Sequence, residues 1–163
     1  MDGARVSPEH PMMRELLLLV DSDDRLRSRL ASALETFNLA VSLTASAEEA
    51  LQILSIEFPY LVAEMALPGM SGLDLLRISR RLCPKTRVVM LASTPSVEWA
   101  VAAFRAGAAD YLVKPFSLDD ILHALWRPDS NLELWQGSAN TGERHTKAEA
   151  LAAYQRSLLL SVF

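Results

Sequence analysis

ELLLLVDSDD, residues Glu15 to Asp24, is an apolar run stopped by a burst of acids. A short run that is apolar at nearly every position suits a strand covered on both faces, as in a parallel sheet. The period then changes. Leu26, Leu30, Ala33, Leu34 and Phe37 share one stripe and predict an amphipathic helix from Asp24 to Phe37. Leu39 to Thr44 roughly alternates and reads as a second strand. Ser46 followed by Glu49 has the pattern of a capping box, opening a helix through Ser55.

The same alternation continues to residue 127. Tyr60 to Met65 is a third strand, followed by a loop with Pro68, Gly69, Ser71 and Gly72. Leu73 to Leu82 is a helix with Leu75, Leu76, Ile78 and Leu82 as its apolar positions, and Arg87 to Ala92 is a fourth strand. A helix from Ser96 to Ala106 stops at Gly107. Asp110 to Val113 is a fifth strand, and Ser117 with Asp120 opens a last helix that Pro128 closes. Five strands interleaved with five helices predict a (βα)5, flavodoxin-like, doubly wound parallel sheet. Residues 15–127 form this domain. Residues 1–14 read as a flexible lead and 128–145 as a turn-rich linker. Residues 146–163 read as a C-terminal helix, with Leu151, Tyr154, Leu158 and Val162 on one stripe.

Composition narrows the function. Half of the 163 residues are apolar, enough for a sizeable core, and the formal net charge of -4 speaks against a nucleic-acid surface. The single cysteine, Cys83, excludes an internal disulfide and suits a reducing cytoplasm. It sits at a helix end and is expected to be structural. The run Leu16 to Val20 is far shorter than the roughly 20 residues of a membrane helix. The opening MDGARVSPEHPMM does not read as a signal peptide. His10, His123 and His145 show no ligand spacing.

In open parallel sheets the crevice lies at the carboxyl ends of the strands. Three features gather there: Asp21 to Asp24 after strand one, Glu64 at the end of strand three, and Lys114 after strand five. Clustered carboxylates repel one another unless a cation sits among them. Aspartate oxygens suit Mg²⁺, and a carboxylate can accept a phosphoryl group while metal and lysine neutralise the charge. Across about residues 15 to 126 the chain resembles the receiver domains of two-component response regulators. The resemblance rests on VDSDDRLR (Val20–Arg27), LPGMSGLDLL (Leu67–Leu76) and AGAADYLVKPF (Ala106–Phe116), and on the spacing between them. It implies a phosphoacceptor position at Glu64, a pocket lysine at Lys114, switch positions at Ala92 and Tyr111, and a cis bond before Pro115.

The departures from that pattern are specific. The family's two acids after strand one are here Asp21 and Ser22, with Asp23 next in line. The acceptor aspartate is replaced by Glu64, and the hydroxyl that ends strand four is replaced by Ala92, with Ser93 after it. Any metal binding, through Asp21 and Glu64, is expected to be weak, and no cofactor is expected. Glu64 carries one charge, against roughly -1.5 to -2 for a phosphate, so it is a partial mimic at best. It is expected to pair with Lys114 as a vestigial acid. Asp23 and Asp24 are expected to cap and solvate the first helix, and Tyr111 to be a fixed, half-buried aromatic.

The expected function is therefore that of an atypical receiver, a pseudo-receiver and not an enzyme. It acts through a protein partner, or through self-pairing by its fourth and fifth helices. Trp99 and Trp126 lie on those helices, and core packing is the first expectation for both. The alternatives are a receiver that still answers to metal or phosphorylation and controls an output domain, and a haloacid-dehalogenase-like phosphatase. In the latter, Asp21 is nucleophile and Asp23 general acid, but this leaves Lys114-Pro115-Phe116 and Met70-Ser71-Gly72 unexplained. A flavin-binding protein shares the fold class, but an acidic loop after strand one repels phosphate.

Overall fold

The strand periodicity is resolved by burial in the computed structural model, which describes residues 13–127. The strands are β1 (Glu15–Val20), β2 (Leu39–Thr44), β3 (Tyr60–Glu64), β4 (Arg87–Ala92) and β5 (Asp110–Val113). All pair in parallel in the order β2-β1-β3-β4-β5. Because side chains alternate across a strand, each strand feeds two cores. Leu18, Val20, Leu61, Ala63, Val88, Met90 and Ala92 face one side, with Leu75 and Leu76 packed on them. Leu17, Leu19, Val62, Val89 and Leu91 face the other, with Leu30, Leu34, Ile121 and Leu125. This double cover is why Leu16 to Val20 are apolar without interruption.

The helices are α1 (Asp24–Glu35), α2 (Ala47–Ile53), α3 (Gly72–Leu82), α4 (Val97–Arg105) and α5 (Leu118–Trp126). Each begins at a short polar residue whose side-chain oxygen accepts an orphan amide: Asp23, Ser46, Ser71, Ser96 and Ser117. Ser117 and Asp120 make a reciprocal capping box. At Ser46 the box is incomplete, because the Glu49 carboxylate accepts from the Ala45 amide.

Three expectations about the core are corrected. α1 stops at Glu35, two residues short of Phe37. Asn38 adopts φ 63°, a left-handed turn that short polar residues tolerate, and it reverses the chain there. Phe37 consequently leaves the core and meets the Trp126 ring at a tilt of 58°, centroids 6.1 Å apart. Leu82 is exposed, and buried Ser79 takes its place on the inner face by bonding the Leu76 carbonyl at 2.8 Å. Trp99 and Trp126, expected in the core, are 40% and 43% exposed. The linker over 128–145, the helix over 146–163 and most of the lead over 1–14 lie outside the described residues. Among the described residues, no helix is long and apolar enough to cross a membrane.

Gly72 fixes the approach of α3 to the end of β3. Its amide donates to the Met65 carbonyl at 2.9 Å. A Cβ on residue 72 would lie 1.9 Å from the Glu64 carbonyl oxygen, which is backbone and cannot swing away. Gly72→Ala is thus expected to destabilise the domain by about 1–3 kcal/mol, as overpacked sites do. Urea unfolding measures this, and an unchanged midpoint would show that α3 can shift freely.

Candidate functional site

The strand order reverses between β1 and β3, and this opens the crevice at their carboxyl ends. Asp21 follows β1 and Glu64 ends β3. The side chains of both are almost wholly buried, at 1% and 3% exposed. Lys114 follows β5 and crosses the end of β4 to reach both. Its Nζ lies 2.6 Å from Asp21 Oδ2 and 2.7 Å from Glu64 Oε2. The Lys114–Pro115 peptide is cis. The Lys114 amide donates to the Ala92 carbonyl at 2.8 Å, which ties its backbone to β4.

The remaining carboxylate oxygens are engaged as well. Asp21 Oδ1 accepts from the Asp23 amide at 2.8 Å, and the Asp21 carbonyl accepts from the Arg27 guanidinium. Glu64 Oε1 accepts from the Ala66 amide at 3.2 Å. Glu64 Oε2 also accepts from Ser93 Oγ at 3.0 Å. The group is therefore a closed net: two buried acids, one ammonium, one hydroxyl and two backbone amides.

Electrostatics follow from this geometry. Burial pushes the Lys114 ammonium towards the neutral form, but hydrogen bonds and attraction from Asp21 and Glu64 outweigh it and raise its pKa. Asp23 stays in solvent as the N-cap of α1. The Leu26 amide, more than that of Arg25, holds its carboxyl below the usual range. Asp24 is exposed and pairs with Arg27 at 2.9 Å.

The structure thus brings together Asp21, Glu64 and Lys114, and adds Ser93, which the residue pattern placed only as the neighbour of Ala92. Ser22 is exposed and Asp23 serves the helix, so neither joins the net. Ala92 is fully buried, and half-buried Tyr111 packs against the core cluster that contains it. Glu48, on α2, was not singled out from the residue pattern. Its Oε1 accepts from the Met70 amide at 2.8 Å and anchors the loop between β3 and α3. That amide is the leading cause of a lowered Glu48 pKa.

The receiver resemblance implies Mg²⁺ at this crevice, and the residues present do not fit it. A hard divalent ion needs several free oxygens. Here an ammonium stands at hydrogen-bond distance from both acids, and the next residue in line is the neutral, exposed Ser22. Among the described residues, no group of three or more His, Cys, Asp or Glu side chains converges to hold a metal.

The comparisons with known proteins agree with the geometry of the fold. The response regulator receiver domain model matches residues 17–126. The photosynthetic apparatus regulatory protein RegA of Cereibacter sphaeroides is 36% identical over 110 residues, which cover 67% of this chain and 60% of that protein. The DNA-binding transcriptional regulator NtrC of Klebsiella pneumoniae is 32% identical over 130 residues, covering 79% of this chain and 28% of that protein. The chain therefore aligns with only part of each relative's length. Among solved structures, a response regulator protein from Burkholderia pseudomallei, with a phosphorylated aspartic acid, a calcium ion and citrate, superposes with a TM-score of 0.66. It is 26% identical, and the match covers 90% of this chain and 93% of that one.

Lys114→Met would leave two buried carboxylates facing each other. The expected cost lies toward the lower end of about 3–5 kcal/mol, since the ammonium keeps some contact with solvent. The sign with pH is fixed by the raised pKa. The stabilisation is fully present below the usual lysine value of 10.5 and is lost as pH climbs through the higher folded value. Denaturant melts of both proteins from pH 7 upward should show a constant gap that closes only in strong alkali. A gap that closes below pH 10 would contradict the assignment.

Proposed function

This chain belongs to the response regulator receiver family of two-component signalling, and we propose that it signals through protein contacts with its pocket lysine already paired from within. The observation that carries this reading is the Lys114 ammonium, held at 2.6 and 2.7 Å between Asp21 and Glu64. In this reading Lys114 is not poised for an incoming phosphoryl group; its charge is already matched. Glu64 is a poor nucleophile here, because its oxygens are held by Ala66, Ser93 and Lys114. An in-line attack tolerates little misplacement, and about 1 Å of error costs on the order of 10²-fold.

The phosphatase alternative is not favoured, because Asp23 is spent on two amides of α1 and cannot act as a general acid over Asp21. The pseudo-receiver acts in the cytoplasm, not as an enzyme. Its partner is another protein or a second copy meeting it through α4 and α5, where Trp99 and Trp126 stand exposed. The acidic balance of -4 supports a protein partner over a nucleic acid.

Amide NMR during titration with Mg²⁺, and then with beryllofluoride as a phosphoryl analogue, tests the reading. Signals of Asp21, Glu64, Lys114 and Tyr111 are expected to stay in place at saturating Mg²⁺. If they move together and saturate, the pocket still takes metal and phosphoryl group, and the chain is a phosphorylation-responsive receiver after all.

A further inference from the structure

The hydroxyl missing at position 92 is supplied one residue later, from the loop. Ala92 is fully buried and its methyl packs in the core, so a hydroxyl there would need a buried partner. Ser93 is exposed, yet its Oγ donates to Glu64 Oε2 at 3.0 Å. Glu64 is itself immobilised by Ala66 and Lys114, so Ser93 is bonded to a fixed point. The backbone just before it is pinned too. The Leu91 carbonyl accepts from Met65 and the Ala92 carbonyl from Lys114, both at 2.8 Å.

Only Ser93, Thr94, Pro95 and Ser96 connect β4 to α4. Ser96 caps α4 by accepting from the Trp99 amide at 3.1 Å. A fixed Ser93 therefore restricts where α4 can start and where it presents Trp99.

Resting on the pocket reading above, we propose that Ser93 is a positioning residue that latches the β4–α4 loop to Glu64, setting the exposed start of α4 in one orientation without any phosphoryl group. A bond to a carboxylate is stronger than one between neutral groups, which suits it to this task.

Amide hydrogen exchange of the full chain, with no phosphoryl donor present, tests the latch. Ser93→Ala is expected to speed exchange about tenfold, the loss of one such bond, at the Trp99 and Ala100 amides, which donate to Ser96 Oγ and to the Ser96 carbonyl, and to shift the Trp99 indole resonance. Ser93→Thr, which keeps the hydroxyl, should restore both. In a Glu64→Ala background, Ser93→Ala should add nothing, because the acceptor is already gone. Exchange within twofold of the parent in Ser93→Ala, or effects that add in the double variant, overturns the latch. Those outcomes leave the pocket reading intact. Beryllofluoride binding by the unsubstituted chain overturns the pocket reading and leaves the exchange result standing.

Discussion

A half-buried ammonium between two buried carboxylates is the constraint on which the rest of this domain's strand-end edge depends. Asp21, Glu64 and Lys114 come from the ends of three strands, and the contact between Asp21 and Lys114 spans 93 residues of sequence. Neither acid is tolerable alone in such a place, since an ion withdrawn from water needs a partner and further hydrogen bonds. The partner is Lys114, and the further bonds come from Asp23, Ala66 and Ser93. Each of those donors lies in a loop that follows a strand. The charge cluster therefore orders three strand-to-helix connections at once, and the sheet beneath supplies only the platform.

The platform is legible in the residues because its physics is local. Apolar positions on both faces of Leu17 to Val20 announce a doubly covered strand. Serines three residues ahead of the amides they cap announce helix starts at Ser46, Ser96 and Ser117. The convergence of Asp21, Glu64 and Lys114 is also legible, because parallel topology puts all strand carboxyl ends on one edge. What the sequence does not carry is geometry set by a single loop torsion or by the absence of a neighbour. Phe37 continues the stripe of α1 on paper, but Asn38 turns the chain before it can pack. Trp99 and Trp126 have helical spacing like any core aromatic, and nothing local says that no element among the described residues covers them. Leu82 fails for the same reason.

Ser93 is the sharper case. In the residue pattern it is one place out of register, and a strand's alternation would send it to the opposite face from residue 92. It reaches Glu64 because β4 has ended by then, so the alternation no longer binds it. A hydroxyl tied to a strand position is legible; one tied to a loop is not.

The exchange of aspartate for glutamate at position 64 gains meaning from that net. One methylene fewer would draw the carboxylate back by about 1.5 Å. From there it could not keep its 2.7 Å contact with Lys114 and its 3.0 Å contact with Ser93 without movement of both. The longer side chain therefore brings its charge to the lysine and the loop hydroxyl together. It does so with one negative charge where a phosphoryl group would bring nearly two and three acceptor oxygens. With Asp21, that single charge leaves the three ionised groups at a net of one negative, which a lysine and backbone amides can hold. Ser22 adds no charge to that balance, so the same lysine and backbone amides hold the whole of it.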